Sequence, residues 1–286
     1  MITKGIILAG GSGTRLSPVT KVINKHLLPI HDKPMIYYPL SILMLAGIRN
    51  IQIIINPGEK KVFSEVLGNP KDLGINIDYI IQKKPNGIGE VFKISKKFIN
   101  NQKFCLILGD NFFYGQALSS YLSKIQEHKT GTLVFCYPVN NIQNFGILEE
   151  VKKKYRIVEK PKKSISNSAV TGLYVFDQNC LSNAKNYKKS SRGEYEITDI
   201  LNSYAKKKSL KTIFLGRGAS WFDMGTFSDF SNVNQLVSII ESRQKFKIAC
   251  LEEIAFNNNW IRKINILNRI KFYGKTDLSD YLKSII

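Results

Sequence analysis

Apolar runs of strand length alternate with stretches of helical periodicity through the first half of the chain. Gly5–Ala9 reads as a buried strand that ends in Gly10-Gly11-Ser12-Gly13. Ile51–Ile55 reads as a second strand and Ile75–Gln82 as a third. Phe104–Leu108 is a fourth, with Asp110 just past its end, and Thr132–Tyr137 is a fifth. Tyr37–Leu45 has helical spacing and stops at Gly47, and helices are expected near 60–67 and 88–99. Strand, helix and strand in repeated order predict parallel pairing through right-handed crossovers, with helices on both faces.

The pattern changes in the middle. Gly146–Val151 and Tyr155–Val158 flank Lys152-Lys153-Lys154, which predicts a hairpin. Val170–Phe176 and Lys211–Leu215 supply further strands, with a helix from about 196 to 207 between them. After Asp223 the periodicity turns helical, at about 227–244, 251–260 and 277–285. No repeat or low-complexity linker interrupts the chain. The expectation is a Rossmann-like α/β domain over residues 1–240, with a mixed, mainly parallel sheet flanked by helices. A C-terminal helical appendage follows over 241–286.

Composition allows such a core: 43% of the 286 residues are hydrophobic and 22% are charged. Charge is the outlier, with 42 Lys+Arg against 22 Asp+Glu and a formal +20. A surplus of that size raises nucleic acid or an anionic membrane as a partner. The excess is spread along the chain, however, with 17 basic and 8 acidic residues already in 1–143. Its lysine runs, Lys83-Lys84, Lys152–Lys154 and Lys206–Lys208, fall at predicted turns and helix ends without interleaved aromatics, so no nucleic-acid partner is expected. Cys105, Cys136, Cys180 and Cys250 form no C-x-x-C pair, which argues against zinc and a disulfide framework. No apolar stretch approaches the roughly 18 residues of a membrane span, and the first apolar run is too short for a signal peptide. A cytoplasmic protein is expected.

Several places carry candidate chemistry. In Gly10-Gly11-Ser12-Gly13-Thr14-Arg15-Leu16, three glycines let consecutive backbone N–H groups form an anion-binding nest at a helix start, and Arg15 adds a bidentate phosphate donor. A tight strand-to-helix turn with an exposed arginine would look the same. Lys25 lies close enough in sequence to reach the same phosphates. Asp110 sits at the carboxyl end of a buried strand, the edge where open α/β sheets bind ligands, and could hold Mg²⁺ on phosphate oxygens. Asp223, in Trp221-Phe222-Asp223-Met224-Gly225-Thr226, is a second such acid; either one alone could be a cap or turn residue. Glu159-Lys160-Pro161 offers an acceptor for sugar hydroxyls beside a cation. Arg192–Asp199 reads equally as a polar site segment or as an acidic helix N-terminus.

Together, Gly10–Leu16, Lys25 with Leu27–Pro29, Lys33–Leu40, Leu108–Asn111, Glu159–Pro161, Ala169–Tyr174, Arg192–Asp199 and Trp221–Thr226 resemble, in order and spacing, the sugar nucleotidyltransferases. The resemblance covers nearly the whole chain, including Glu252-Glu253-Ile254-Ala255. The Gly-rich motif indicates only a nucleotidyltransferase. Lys33–Leu40 and Arg192–Asp199 are more specific, and point to the branch that transfers a thymidylyl group from dTTP to glucose 1-phosphate. What the resemblance implies is dTDP-glucose and pyrophosphate as products, in the first step of dTDP-rhamnose biosynthesis. It further implies the nucleotide-diphospho-sugar transferase fold, a sugar-binding part at about 140–225, an oligomerisation or regulatory role for 241–286, a homotetramer, and Mg²⁺ as cofactor.

Residue by residue, the resemblance implies that Gly10, Gly11, Gly13, Thr14 and Arg15 hold the triphosphate, with Lys25 at the reacting phosphates and Lys160 on the sugar phosphate. Arg15, Lys25, Asp110 and Lys160 would carry catalysis, and Asp110 and Asp223 would bind the metal. Gln82 and Gly87 would contact the base, while Asn111, Gly146, Glu159 and Val170 would line the sugar site. His26, also on the nucleotide side, stands where the family usually has Gln. An imidazole can donate one hydrogen bond to a carbonyl but lacks the donor–acceptor pair of a primary amide. The same chemistry with UTP, CTP or another sugar 1-phosphate is the alternative.

Overall fold

A computed structural model describes residues 1–184 and 187–286. Strand β1 (Lys4–Leu8) leads through three short 3₁₀ turns into a two-residue hairpin, β2 (Pro29–Ile30) and β3 (Lys33–Pro34), and then α1 (Tyr37–Leu45). α1 is buried from Tyr37 to Met44, and Gly47, in the left-handed region at φ 78°, ends it. β4 (Asn50–Ile55), α2 (Lys60–Leu67) and β5 (Asn76–Ile81) follow as expected. The stretch 88–99 is not one helix: a 3₁₀ turn at Ile88–Glu90 precedes α3 (Val91–Ile94) and α4 (Lys96–Ile99), which break at Ser95. Gly89 gives its N–H to the Tyr195 carbonyl at 2.8 Å, so the helix starts late.

β6 (Phe104–Leu108) runs into β7 (Asn111–Gly115), then α5 (Leu118–Glu127) and β8 (Thr132–Pro138). The lysine turn joins β9 (Gly146–Val151) to β10 (Lys154–Glu159), with Lys152 and Lys153 both at positive φ, as a two-residue hairpin turn requires. β11 (Ser168–Phe176), α6 (Cys180–Asn183), α7 (Ile197–Lys206), β12 (Leu210–Phe214) and β13 (Ala219–Asp223) complete the α/β part. α7 buries Ile197, Ile200, Leu201 and Tyr204, one stripe at helical spacing.

One mixed sheet has the order β10-β9-β11-β6-β1-β4-β5, with β8 also paired to β11 and β12 to β8. β6, β1, β4 and β5 are parallel. β11 enters antiparallel to β6 and joins the hairpin to the same sheet. Two apolar clusters pack the two faces, the larger under α1 and the smaller under α7. β7 and β13 pair outside this sheet in register Asn111↔Asp223.

After Asp223 come α8 (Phe227–Gln244), α9 (Leu251–Asn257), α10 (Lys263–Tyr273) and α11 (Asp277–Ser284). Thr226 caps α8 by accepting the Asp229 N–H at 3.2 Å. α9 packs on α1 and α10 on the 70–73 turn, all within the larger cluster. No described helix is long and apolar enough to cross a membrane. All four cysteines are buried free thiols.

Candidate active site

Parallel register places the site. β1 and β6 are neighbours with Leu8 opposite Leu108, so Gly10 and Asp110 emerge side by side at the carboxyl edge of the sheet. The β7–β13 pair then brings Asp223 next to Asn111, and the Met224 N–H donates to the Asp110 carbonyl at 2.9 Å. A cavity of about 280 Å³ opens there. Of the expected site residues, Gly10, Arg15, Lys25, His26, Asp110, Asn111, Gly146, Glu159, Lys160, Val170 and Asp223 line it.

Electrostatics in the cavity are arranged in opposed pairs. Lys25 Nζ is bonded to Asp110 Oδ2, and Arg15 Nη2 lies 3.9 Å from Asp223 Oδ2. Burial alone would raise the Asp110 carboxyl. The Lys25 ammonium and the Asn111 amide overcome it and hold Asp110 well below the usual carboxylate range. Asp223 goes the other way: burial first, and the nearby Asp110 charge second, push it up to about 7 against Lys25 and Arg15. Glu159 is also raised, by burial and then by Glu196, although Arg192 Nη2 donates to it at 3.2 Å.

Arg192 also forks onto Glu196, Nε to Oε1 at 3.0 Å and Nη2 to Oε2 at 2.8 Å. The Arg192–Asp199 segment therefore serves both readings its sequence allowed. It begins α7 with acids and buttresses the cavity wall through Glu159, while Ile197, Thr198 and Leu201 reach the lining.

Asn111 has little amide left for a ligand. Its Oδ1 accepts from Trp221 Nε1 at 2.6 Å and from the Gly172 N–H at 2.9 Å, and its Nδ2 donates to Asp110 Oδ1 at 3.1 Å. It ties β7, β11 and β13 together under the cavity. Asn111→Leu is expected to leave two buried N–H groups unpaired and to cost about 1–3 kcal/mol for each. A thermal melt would show it as a lowered midpoint, and an unchanged midpoint would refute this role.

The glycine loop departs from its expected form. Thr14–Leu16 is a single 3₁₀ turn, not the start of an α-helix, so no helix dipole points at the loop. Gly11, at φ 109°, gives its N–H to Asn56 Oδ1 at 3.0 Å, which withdraws one amide from the nest. Gly11 faces a neighbouring hollow, and Gly13 packs on Thr20. Gln82 and Gly87 also lie outside the cavity lining. Gln82 donates to Glu90 Oε2 at 2.7 Å, with its Oε1 where a Cβ on Gly10 would sit, and Gly87 faces the Tyr195 backbone.

His26 is buried where it borders the cavity. Its ring is 1% exposed, and Nδ1 lies 2.7 Å from Asn24 Oδ1. Burial, then the charge of Lys25, lower it to about 3 against Asp110 and the Ala9 carbonyl, so it is neutral. The sequence reading also passed over Phe145, Tyr174, Thr198 and Trp221, all of which line the cavity. The Phe145 and Trp221 rings stand 5.2 Å apart as an apolar wall. Tyr174, Thr198 and Trp221 fall within motifs the sequence shows, but nothing in those motifs says which side chains turn inward, and Phe145 lies in none of them.

Three cations and three carboxylates around a cavity at the carboxyl edge of an α/β sheet define a protein built to handle phosphorylated small molecules. The family model described as nucleotidyl transferase matches residues 4–238, and the chain belongs to that family. It is 45% identical over 285 residues to a glucose-1-phosphate thymidylyltransferase of Neisseria gonorrhoeae, covering 99% of each chain. The corresponding Mycolicibacterium smegmatis protein is 41% identical, again over 99% of each. Among solved structures, a Bacillus anthracis protein assigned as a glucose-1-phosphate thymidylyltransferase, in complex with sucrose, matches with TM-score 0.75 and 37% identity. That match covers 82% of this chain and 94% of the other. A UDP-glucose pyrophosphorylase complexed with UDP-glucose matches with TM-score 0.73 and 25% identity, over 85% of this chain and all of the other.

Proposed function

We propose that the protein transfers a thymidylyl group from dTTP to glucose 1-phosphate, giving dTDP-glucose and pyrophosphate. The observation that carries this reading is the convergence of Arg15, Lys25 and Lys160 with Asp110 and Asp223 on one cavity, in a chain whose full-length relatives bear that activity in their names. An oxygen of glucose 1-phosphate attacks the α-phosphorus of dTTP, the P–O bond to the β-phosphate breaks, and the electron pair leaves with pyrophosphate. The attacking oxygen is already anionic, so no general base is needed. The protein's work is to hold two mutually repelling phosphates in line and to offset their charge.

Arg15 and Gly10 take the triphosphate, Lys25 the reacting phosphates and Lys160 the sugar phosphate. Gly146, Glu159 and Val170 line the sugar side, and Asn111 fixes their neighbours. Gln82, Gly87 and His26 belong to the base and nucleoside end. Asp110 and Asp223 fit a divalent ion: both carboxylates line the cavity, and their mutual repulsion, which raises Asp223, is what a dication relieves. Mg²⁺ held there would neutralise charge on the phosphate oxygens. The C-terminal helices, with exposed Ile264, Leu267 and Phe272 on α10, are the region we assign to assembly into a homotetramer.

The test is pyrophosphate release with glucose 1-phosphate and dTTP, UTP or CTP, with and without Mg²⁺. Release fastest with dTTP and lost on chelation is expected. A preference for UTP or CTP would overturn the thymidylyl assignment.

A further inference from the structure

Behind the glycine loop lies a hollow of about 250 Å³, with Gly11, Ser12, Thr20, Asn24, Asn56 and Glu59 in its lining. Hydrogen bonds, rather than apolar packing, hold the loop there. One amide, Asn56, takes both backbone groups of Gly11: its Oδ1 accepts the N–H at 3.0 Å and its Nδ2 donates to the carbonyl at 3.1 Å. A second amide, Asn24, donates from Nδ2 to the Ala9 carbonyl at 3.1 Å, just before the loop. Its Oδ1 accepts the His26 N–H at 2.8 Å and so caps the 3₁₀ turn that carries Lys25. Both amides converge on Glu59. Asn24 Nδ2 donates to Oε2 at 2.8 Å, while Asn56 gives its N–H to Oε2 at 3.0 Å and its Nδ2 to Oε1 at 3.1 Å.

Glu59 stands at the N-cap position of α2 yet makes no side-chain bond to that helix. Its oxygens go to the two loops instead. Each amide presents Nδ2 to partners that can only accept, so neither can flip without losing its bonds. Gly11, at φ 109°, has the freedom of a glycine, and holding both its N–H and its carbonyl fixes the peptide planes on either side of it. We propose that Glu59 is a positioning residue for the triphosphate: through Asn56 it sets the glycine loop, and through Asn24 it sets the turn of Lys25. One carboxylate that does not line the active cavity thus holds two phosphate-handling segments in place relative to each other. This rests on the reading above that those segments take the triphosphate. The three donors to Glu59 are neutral, so removing it strands no cation.

The experiment compares Glu59→Ala and Glu59→Gln with the unsubstituted full chain, by amide hydrogen exchange and by ligand binding. Exchange over residues 9–15 should quicken in Glu59→Ala while β4 and β6 stay as slow as before, a result independent of which substrate the enzyme uses. The dissociation constants of dTTP, with no sugar phosphate present, and of inorganic pyrophosphate should each rise about tenfold, the size of one lost hydrogen bond. Thymidine, which carries no phosphate, and glucose 1-phosphate, which the reading above gives to Lys160, should bind as before. Glu59→Gln keeps an acceptor for Asn24 but sets an N–H against Asn56 Nδ2, so its loss should fall between the two.

Unchanged exchange of the loop in Glu59→Ala would overturn the proposal. So would quickened exchange with dTTP and pyrophosphate bound as tightly as before. Thymidine weakened as much as dTTP would move the effect to the nucleoside end and overturn it as well. Glu59→Gln no better than Glu59→Ala would show that the accepted hydrogen bonds are not the cause. Failure of the substrate reading would show separately, as no pyrophosphate release from dTTP by the unsubstituted protein.

Discussion

Arg15→Ala is expected to lower turnover by about 10²–10³-fold with the fold intact, the usual loss when one preorganised electrostatic contact is removed. Its side chain is 56% exposed and its one carboxylate contact is at 3.9 Å, so the arginine does little for stability. Asp110→Asn should lose at least as much, for a different reason. The amide cannot balance Lys25, which is itself mostly buried, and the lysine would then be drawn to whatever anion enters the cavity. Pyrophosphate release measures turnover, and a thermal melt confirms folding. Near-normal turnover in either variant would remove these residues from the mechanism.

Arg269→Met is expected to have the largest effect on stability. Arg269 is 1% exposed within α10, with Nε donating to Glu252 Oε1 at 2.7 Å and Nη1 to the Leu67 carbonyl at 2.8 Å. Glu252 is fully buried, and the Tyr273 hydroxyl also donates to its Oε1 at 2.7 Å. This network fastens α9 and α10 to the end of α2. Removing the arginine leaves a buried carboxylate without its cation, at a cost of about 3–5 kcal/mol. For a chain of this length that lowers the melting midpoint by on the order of 10 °C. The double variant with Glu252→Leu removes both charges and should recover most of the loss. A double variant no better than Arg269→Met alone would show that packing, not charge pairing, holds these helices.

The same cluster shows where sequence reading stopped. Lys263–Tyr273 shows no helical apolar period in the sequence because its inward positions are Ile266 and Arg269, so a buried cation breaks the pattern. The strands Lys4–Leu8, Asn50–Ile55 and Phe104–Leu108 were legible because both faces of a parallel sheet are covered and their runs are continuously apolar. From those runs alone, Gly10 and Asp110 could be set at one sheet edge. Asp223 could not, since its place depends on the short β7–β13 pair, two strands of mixed polarity that no periodicity marks. The hydrogen-bonding sense of His26 was equally out of reach, because it is decided by Asn24 and Glu59 through contacts the chain makes only when folded.

The central claim is that the cavity joins a sugar phosphate to the α-phosphorus of dTTP. ³¹P NMR of dTTP, glucose 1-phosphate and Mg²⁺ with the enzyme tests it most directly. The account predicts the two phosphorus signals of dTDP-glucose rising in equal amount with pyrophosphate while dTTP and glucose 1-phosphate decline together. Release of inorganic phosphate instead, or loss of dTTP with glucose 1-phosphate unchanged, would contradict it.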